Sequence, residues 1–335
     1  MMFETKPAIL RKYPLDHPYV YGVPLGRAKF RTHAEDFYVN ELMEIEPSGD
    51  GEHIWLHIEK NGQNTAWVAK ALAEFAGVQE MDVGFAGQKD RWAVTRQWFS
   101  IYYPKGEPLN WRKFTLEGAE ILQVARHKSK LRRGDHVGNE FRIVLRSPSA
   151  LKISLENRLS IIADQGVPNY YGPQRFGRGG HNLELADVLF LENRTIRNRQ
   201  KRSMALSAAR SWLFNHIVAQ YVAQGRWLEV AGGDTQTGPL WGRGRAKVNE
   251  GLARWEYQCL IPYSEWLDGL EHKGLNQERR PLCVKPKDMQ WQWLDDQALV
   301  ISFSLQKGDF ATTVLRELTL LDEPTLDERY GNVAT

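Results

Sequence analysis

The chain has 335 residues, 42% hydrophobic and 25% charged, with a formal net charge of +3. That is enough apolar material for one large core or two modest ones, which excludes a mainly disordered chain. No apolar run approaches the ~20 residues of a membrane span, the opening MMFETKPAILRKYPLDHPYV lacks the compact apolar stretch of a signal peptide, and Cys259 and Cys283 are too few for a disulfide framework, so a cytoplasmic protein with reduced thiols is expected.

In chain order, Phe30 to Leu42 reads as extended, and HIWLHIEK (His53 to Lys60) alternates apolar and polar side chains as a half-buried strand does. A helix follows, capped by Asn64 or Thr65, with Trp67, Val68, Ala71, Leu72 and Phe75 at helical spacing and Gly77 as its stop. MDVGFAG and TRQWFSIYY are short strands flanking the polar turn QKDRWAV. Next come a strand EFRIVLRS, a helix from Leu151 to Gln165 ended by Gly166, and the turn-rich block GVPNYYGPQRFGRGGHN. Ser203 to Gln224 is helical, with Leu206, Ala209, Leu213, Ile217 and Tyr221 on one face. Gly225 to Val284 is Gly-rich and Trp-bearing and yields no secure assignment, after which ALVISFSLQ reads as a strand and Asp309 as the cap of a helix through Leu318. The plan is α+β, with strands from both ends of the chain in one sheet and a more helical insertion between Thr195 and Val284.

Charge is unevenly placed. RHKSKLRR (Arg126 to Arg133) and RTIRNRQKR (Arg194 to Arg202) are dense basic runs, which with 12 tryptophans favour a nucleic-acid partner, since neutralised phosphates release counterions. The nine histidines form no HExxH or His/Cys cluster, and no P-loop, GxSxG or properly set GxGxxG is present. The expected chemistry therefore uses ordinary side chains, without metal or coenzyme.

Three blocks carry a family resemblance: FAGQKD with AVTRQWFS, NYYGPQRFGRGGHN (Asn169 to Asn182), and LSAARSWLFN (Leu206 to Asn215). Together with AEDFYVNEL, ARHKSKLRRGDHVGNEF and GDFATTVLREL they resemble, in the same order, the tRNA pseudouridine synthase D (TruD) family. The resemblance implies a mixed, mostly antiparallel pseudouridine-synthase sheet with helices. It also implies a discontinuous catalytic domain at 1–194 and 285–335, an inserted family-specific α/β domain at 195–284, and an RNA cleft between the two. The implied activity is conversion of uridine, uridine 13 in the D-arm of tRNA, to pseudouridine without cofactor, with tRNA as partner and no membrane or obligate protein partner.

Residue by residue, Asp90 matches the family's catalytic aspartate, acting as nucleophile or as base. Arg31 falls where the family usually has a lysine beside it, with Lys29 the neighbouring alternative, and Asn169 matches an asparagine that positions the carboxylate. Tyr171 and Phe310, with Phe37 beside them, match or adjoin aromatics lining a uridine pocket, where a base taken out of its stack needs an apolar surface. Lys89, Arg91, Arg96, Arg126, Lys128, Lys130, Arg132, Arg175 and Arg210 are candidate RNA contacts.

Overall fold

In the computed structural model, which describes residues 13–231, 236–325 and 328, the alternating stretches become strands and the helically spaced ones helices. The first half carries β1 (Arg27–Phe30), β2 (Phe37–Leu42), β3 (His53–Asn61), α1 (Thr65–Ala76), β4 (Val83–Phe85), β5 (Val94–Tyr102), β6 (Ala119–His127) and β7 (Gly138–Arg146). It is followed by α2 (Lys152–Gln165), β8 (Val167–Pro168), α3 (His181–Phe190), α4 (Arg199–Ala223), β9 (Thr237–Leu240), α5 (Glu250–Leu260) and α6 (Ser264–Glu271). Last come β10 (Glu278–Pro281), β11 (Cys283–Val284), β12 (Lys287–Asp295), β13 (Ala298–Gln306), α7 (Ala311–Arg316) and β14 (Leu320–Asp322).

The architecture is α+β. One mixed, mostly antiparallel sheet runs β12-β13-β7-β2-β5-β3-β6, with β1 on β7, β14 on β1, and β4 on β5. Its parallel pairings are β2 with β5 and β1 with β14. β13 meets β7 over nine successive residue pairs, Ala298 opposite Arg146 to Gln306 opposite Gly138, so the two ends of the chain do share one sheet. Against this sheet α1 lays Val68, Ala69, Leu72 and Ala73 on Ile54, Leu56, Ile58, Phe99 and Ile101. Full burial of each Val or Leu contributes ~1.5–3 kcal/mol. Asn64 accepts from Ala66 N to open the helix, and Gly77 ends it with φ of 68°, a left-handed turn that glycine adopts without a Cβ penalty.

By backbone contacts the chain divides into two compact units. One comprises Pro24–Asn157, Pro286–Ala311 and the stretch from Leu318, and holds the large sheet. The other comprises the stretch ending at Val23, Arg158–Lys285 and Thr312–Glu317. Its core gathers Trp212, Leu213, Phe214 and Ile217 of α4 with Tyr170, Phe176, Leu183, Trp266 and Leu282. The expected insertion at 195–284 lies inside this second unit, which also takes in 158–194. The reason is packing: Tyr170, Tyr171, Phe176, Leu183 and Ala186 bury their side chains against the long helix α4.

The stretch from Phe30 to Leu42 is not continuously extended. Residues Ala34–Asp36 make a short 3-10 turn between β1 and β2. Asp36 fixes it, accepting from His33 N at 3.0 Å and from the Arg146 guanidinium at 2.6 Å. The helix expected through Leu318 is limited to Ala311–Arg316, and α4 begins at Arg199, capped by Asn198. Strands β6 and β12 were not anticipated. Both are lateral strands with mostly exposed or half-buried side chains, so they lack a clear apolar stripe.

Candidate active site

Asp90 stands on the loop between β4 and β5, and its side chain is 57% exposed. Arg31 Nη2 donates to Asp90 Oδ2 at 2.8 Å. The guanidinium itself is only 14% exposed, because its Cζ lies 4.0 Å from the centre of the Phe37 ring and 5.0 Å from that of Phe30. A cation held against aromatic rings is preorganised rather than searching for its partner. Arg31 also has φ of 57°, a left-handed conformation that costs a non-glycine residue energy and marks a position its surroundings over-determine. One of those constraints is visible: the Trp92 indole N–H donates to the Arg31 carbonyl at 3.0 Å. Of the two cations the sequence allowed, Arg31 is the one that reaches Asp90.

The backbone of Asp90 is held from beneath. Lys60 is buried, and its ammonium donates to the Asp90 carbonyl at 2.9 Å and to the Gln63 carbonyl at 2.7 Å. Burial pushes the Lys60 pKa down to about 8, the negative charge of Asp90 opposing that shift and Lys89 adding to it. Sequence reasoning missed this residue, although a signal existed: Ile54, Leu56, Ile58 and Lys60 share one face of an alternating strand, and a cation on an apolar face needs partners.

Next to Asp90, the Lys89 side chain points inward. Its ammonium lies 2.7 Å from Glu41 Oε2, with the two side chains 6% and 0% exposed, and it donates to Asn139 Oδ1 at 2.5 Å. Burial pushes the Glu41 carboxyl up, and Lys89 pulls it only part of the way back. The backbone at Lys89 is tied as well, N–H to Thr65 Oγ1 at 3.0 Å, while Gln97 holds the Gly87 carbonyl at 2.9 Å. At Gly87 a Cβ would come within 2.9 Å of Glu41 Oε2 and 3.3 Å of Lys89 Nζ, so a larger residue would crowd this ion pair. Lys89, expected among the RNA contacts, is therefore an interior anchor of the aspartate loop.

The other expected residues divide between surface and interior. Phe37 is buried beneath Arg31 and belongs to the core rather than to an open pocket. Phe310 belongs to the same unit as Asp90 and is 43% exposed. Asn169 and Tyr171 belong to the other unit, where both are buried. Asn169 Nδ2 donates to the Pro281 carbonyl at 2.9 Å and its Oδ1 accepts from Arg280 at 2.6 Å. Tyr171 packs edge-on to Phe214 and lies under the guanidinium groups of Arg280 and Arg175. Arg280 was not foreseen, because nothing in the isolated ERRP stretch marks it as the partner of a distant Asn.

Among the basic residues, Arg210 is committed internally, to the carbonyls of Leu240 and Asn276 and to Glu278 at 3.2 Å. Arg126 donates to the Tyr103 carbonyl, and Lys130 to that of Met81. Arg96 is hydrogen-bonded to Glu59 at 2.7 Å, whereas Lys128 lies 3.5 Å from Asp50 with both side chains largely in water, so only the latter pairing is a weak competitor for a phosphate. Arg91, Arg132 and Arg175 are exposed. Among the described residues, no helix is long and apolar enough to cross a membrane.

A model of the family described as tRNA pseudouridine synthase D (TruD) matches residues 17–188. The chain is 47% identical to tRNA pseudouridine synthase D of Cellvibrio japonicus, over 94% of this chain and 96% of that protein. It is 46% identical to the Aeromonas hydrophila protein of the same name, over 91% and 94% of the two chains. Among solved structures, a putative tRNA pseudouridine synthase D from Methanosarcina mazei superposes with a TM-score of 0.65 at 19% identity, covering 92% of this chain and 96% of that one, a likeness of fold.

Proposed function

Because the chain belongs to the tRNA pseudouridine synthase D family, we propose that it isomerises a uridine of tRNA, uridine 13 in the D-arm, to pseudouridine in the cytoplasm, with the Asp90 carboxylate as the acting group and no cofactor. The observation that carries this reading is the pairing of Arg31 with an aspartate that remains over half exposed. The carboxylate is held in place and is still open to a substrate.

The reaction breaks the N1–C1′ bond, turns the base, forms a C5–C1′ bond, and exchanges the C5 proton for one on N1. Atoms and electrons balance within the nucleoside, so the chemistry asks for an acid–base or nucleophilic group and for positioning, with no external electron or group carrier. Asp90 supplies the group, attacking the nucleoside or removing a sugar proton, then assisting departure of the C5 proton. Arg31 fixes one carboxylate oxygen, leaving the other to face ribose and base. Lys60 fixes the main chain behind it, and the Lys89–Glu41 pair fixes the loop.

An everted uracil needs an aromatic surface, and Phe310 is an exposed ring in the unit that carries Asp90. Asn169, the family's positioning asparagine by resemblance, is itself held in its own unit by Arg280 and the Pro281 carbonyl. The test is product mapping on unmodified tRNA transcript. Wild type should place pseudouridine at position 13, and Asp90→Asn should yield none while binding tRNA within a few-fold of wild type. Pseudouridine formed by Asp90→Asn would refute the assignment.

A further inference from the structure

Beside Asp90, in the same unit, a groove of about 690 Å³ is lined by Gln63, Asn64, Ala66, Trp67, Lys70, Glu80 and Arg91. Its size suits one nucleotide, at the middle of the range of ligand sites. The inner face of α1 is occupied by Val68, Leu72 and Ala73, which leaves Trp67 on the outside, 54% exposed. Two cations and one carboxylate line the groove, giving it a net positive charge. Lys70 lies 3.9 Å from Glu74 on the exposed helix face, a loose pair that a phosphate can displace.

The groove is joined to the candidate active site by short covalent and hydrogen-bonded links. Arg91 follows Asp90 in sequence, and its Nε donates to the Gly62 carbonyl at 3.1 Å. The Lys60 ammonium that holds the Asp90 carbonyl also holds the carbonyl of Gln63, a groove residue. A strand of RNA with its target nucleotide at Asp90 therefore has its adjoining nucleotide within reach of this groove.

We infer that the groove is a subsite for an unpaired nucleotide flanking the target uridine, its base stacked on Trp67 and its phosphate between Lys70 and Arg91. The inference rests on the proposed RNA-modifying role of Asp90. A ring stack is tolerant of base identity, so the subsite selects for an unstacked neighbour rather than for a sequence. It gives the enzyme a means of choosing a locally opened site, since a paired neighbour keeps its base in the helix.

The test is steady-state kinetics on tRNA transcript with Trp67→Ala, Trp67→Phe and Lys70→Glu. Trp67→Ala should raise KM about ten-fold with kcat within about two-fold, and Trp67→Phe should restore KM to within about three-fold, because either ring offers a stacking face. Lys70→Glu should lower the salt dependence of binding by about one charge. The same Trp67→Ala change in an Asp90→Asn background, read by filter binding to tRNA, should weaken affinity by a similar factor. That arm needs no turnover, so absence of product with wild type would refute the proposed function while the binding arm still decides the subsite. An unchanged KM and affinity in Trp67→Ala would overturn the inference, as would a rise in KM that Trp67→Phe fails to relieve or that accompanies a lowered melting temperature.

Discussion

Replacing Arg31 by Met removes the guanidinium that lies 2.8 Å from Asp90 while leaving a long side chain over Phe37 and Phe30. Two opposite charges about 4 Å apart interact by ~4 kcal/mol at an effective dielectric of about 20 and ~1 kcal/mol in bulk water. The Arg31 side chain is 14% exposed and that of Asp90 57%, so the pair lies between these limits and the solvent-facing side discounts the larger figure. A loss of ~1.5–3 kcal/mol is expected, which is about 10- to 150-fold in kcat. Arg31→Lys keeps the charge and gives up the contact of the guanidinium with the two rings, so it should fall within about ten-fold of wild type. Backbone strain gives an internal control: at φ of 57°, Arg31→Gly should be more stable to urea than Arg31→Ala by ~1 kcal/mol although neither has the cation. The assay is single-turnover release of the C5 proton from tritiated tRNA, with urea melts alongside. A kcat for Arg31→Met within two-fold of wild type would show that the pair does not serve the reaction.

Lys89→Met should destabilise the sheet unit by ~3–5 kcal/mol at pH 8, because it strands a Glu41 carboxylate that is 0% exposed. Burial already raises the Glu41 pKa and Lys89 opposes that shift, so without Lys89 ionisation of Glu41 favours the unfolded chain. The variant's deficit must then shrink as pH falls and grow as pH rises above the ordinary carboxylate range. Urea midpoints at pH 6 and pH 8 check this, and a deficit independent of pH would count against it. For Lys60, depressed to about 8 from an ordinary 10.5, the unfolded chain binds more protons between those values, so stability rises with pH across that window. Activity should move the other way, falling above pH 8 as the ammonium loses its charge beneath Asp90. Lys60→Met should show neither trend, and an alkaline limb retained in that variant would assign it to another group.

Much of the sheet unit was legible because its signals are local. The HIWLHIEK alternation, the Asn64 cap and the Gly77 stop each act over a few residues and reappear as β3 and α1. Asp90 and Arg31 were legible through family motifs, but the destinations of nearby charges were not. Lys89 meets Glu41 and Asn139, and Arg210 meets Glu278, across separations no periodicity encodes, so two cations expected to touch RNA proved to be interior wiring. The insertion was expected to begin at Thr195, whereas the compact unit that contains it takes in the chain from Arg158, where Tyr170 and Phe176 join the core with α4. The small strands β9, β10 and β11 escaped notice for a related reason: two to four residues are too few to establish an alternation.

The pairing of β7 with β13 and of β1 with β14 has a bearing on how the polypeptide matures during synthesis. When the ribosome has completed β7, the neighbour that will cover its flank has yet to be translated, and the strand waits with unpaired main-chain groups. A prematurely terminated product ending before Ala298 would carry the Asp90 loop and still lack the strand that closes the sheet beside it. Such a fragment would present a sticky margin to its neighbours, so quality control by chaperone or protease, rather than residual turnover, is its fate.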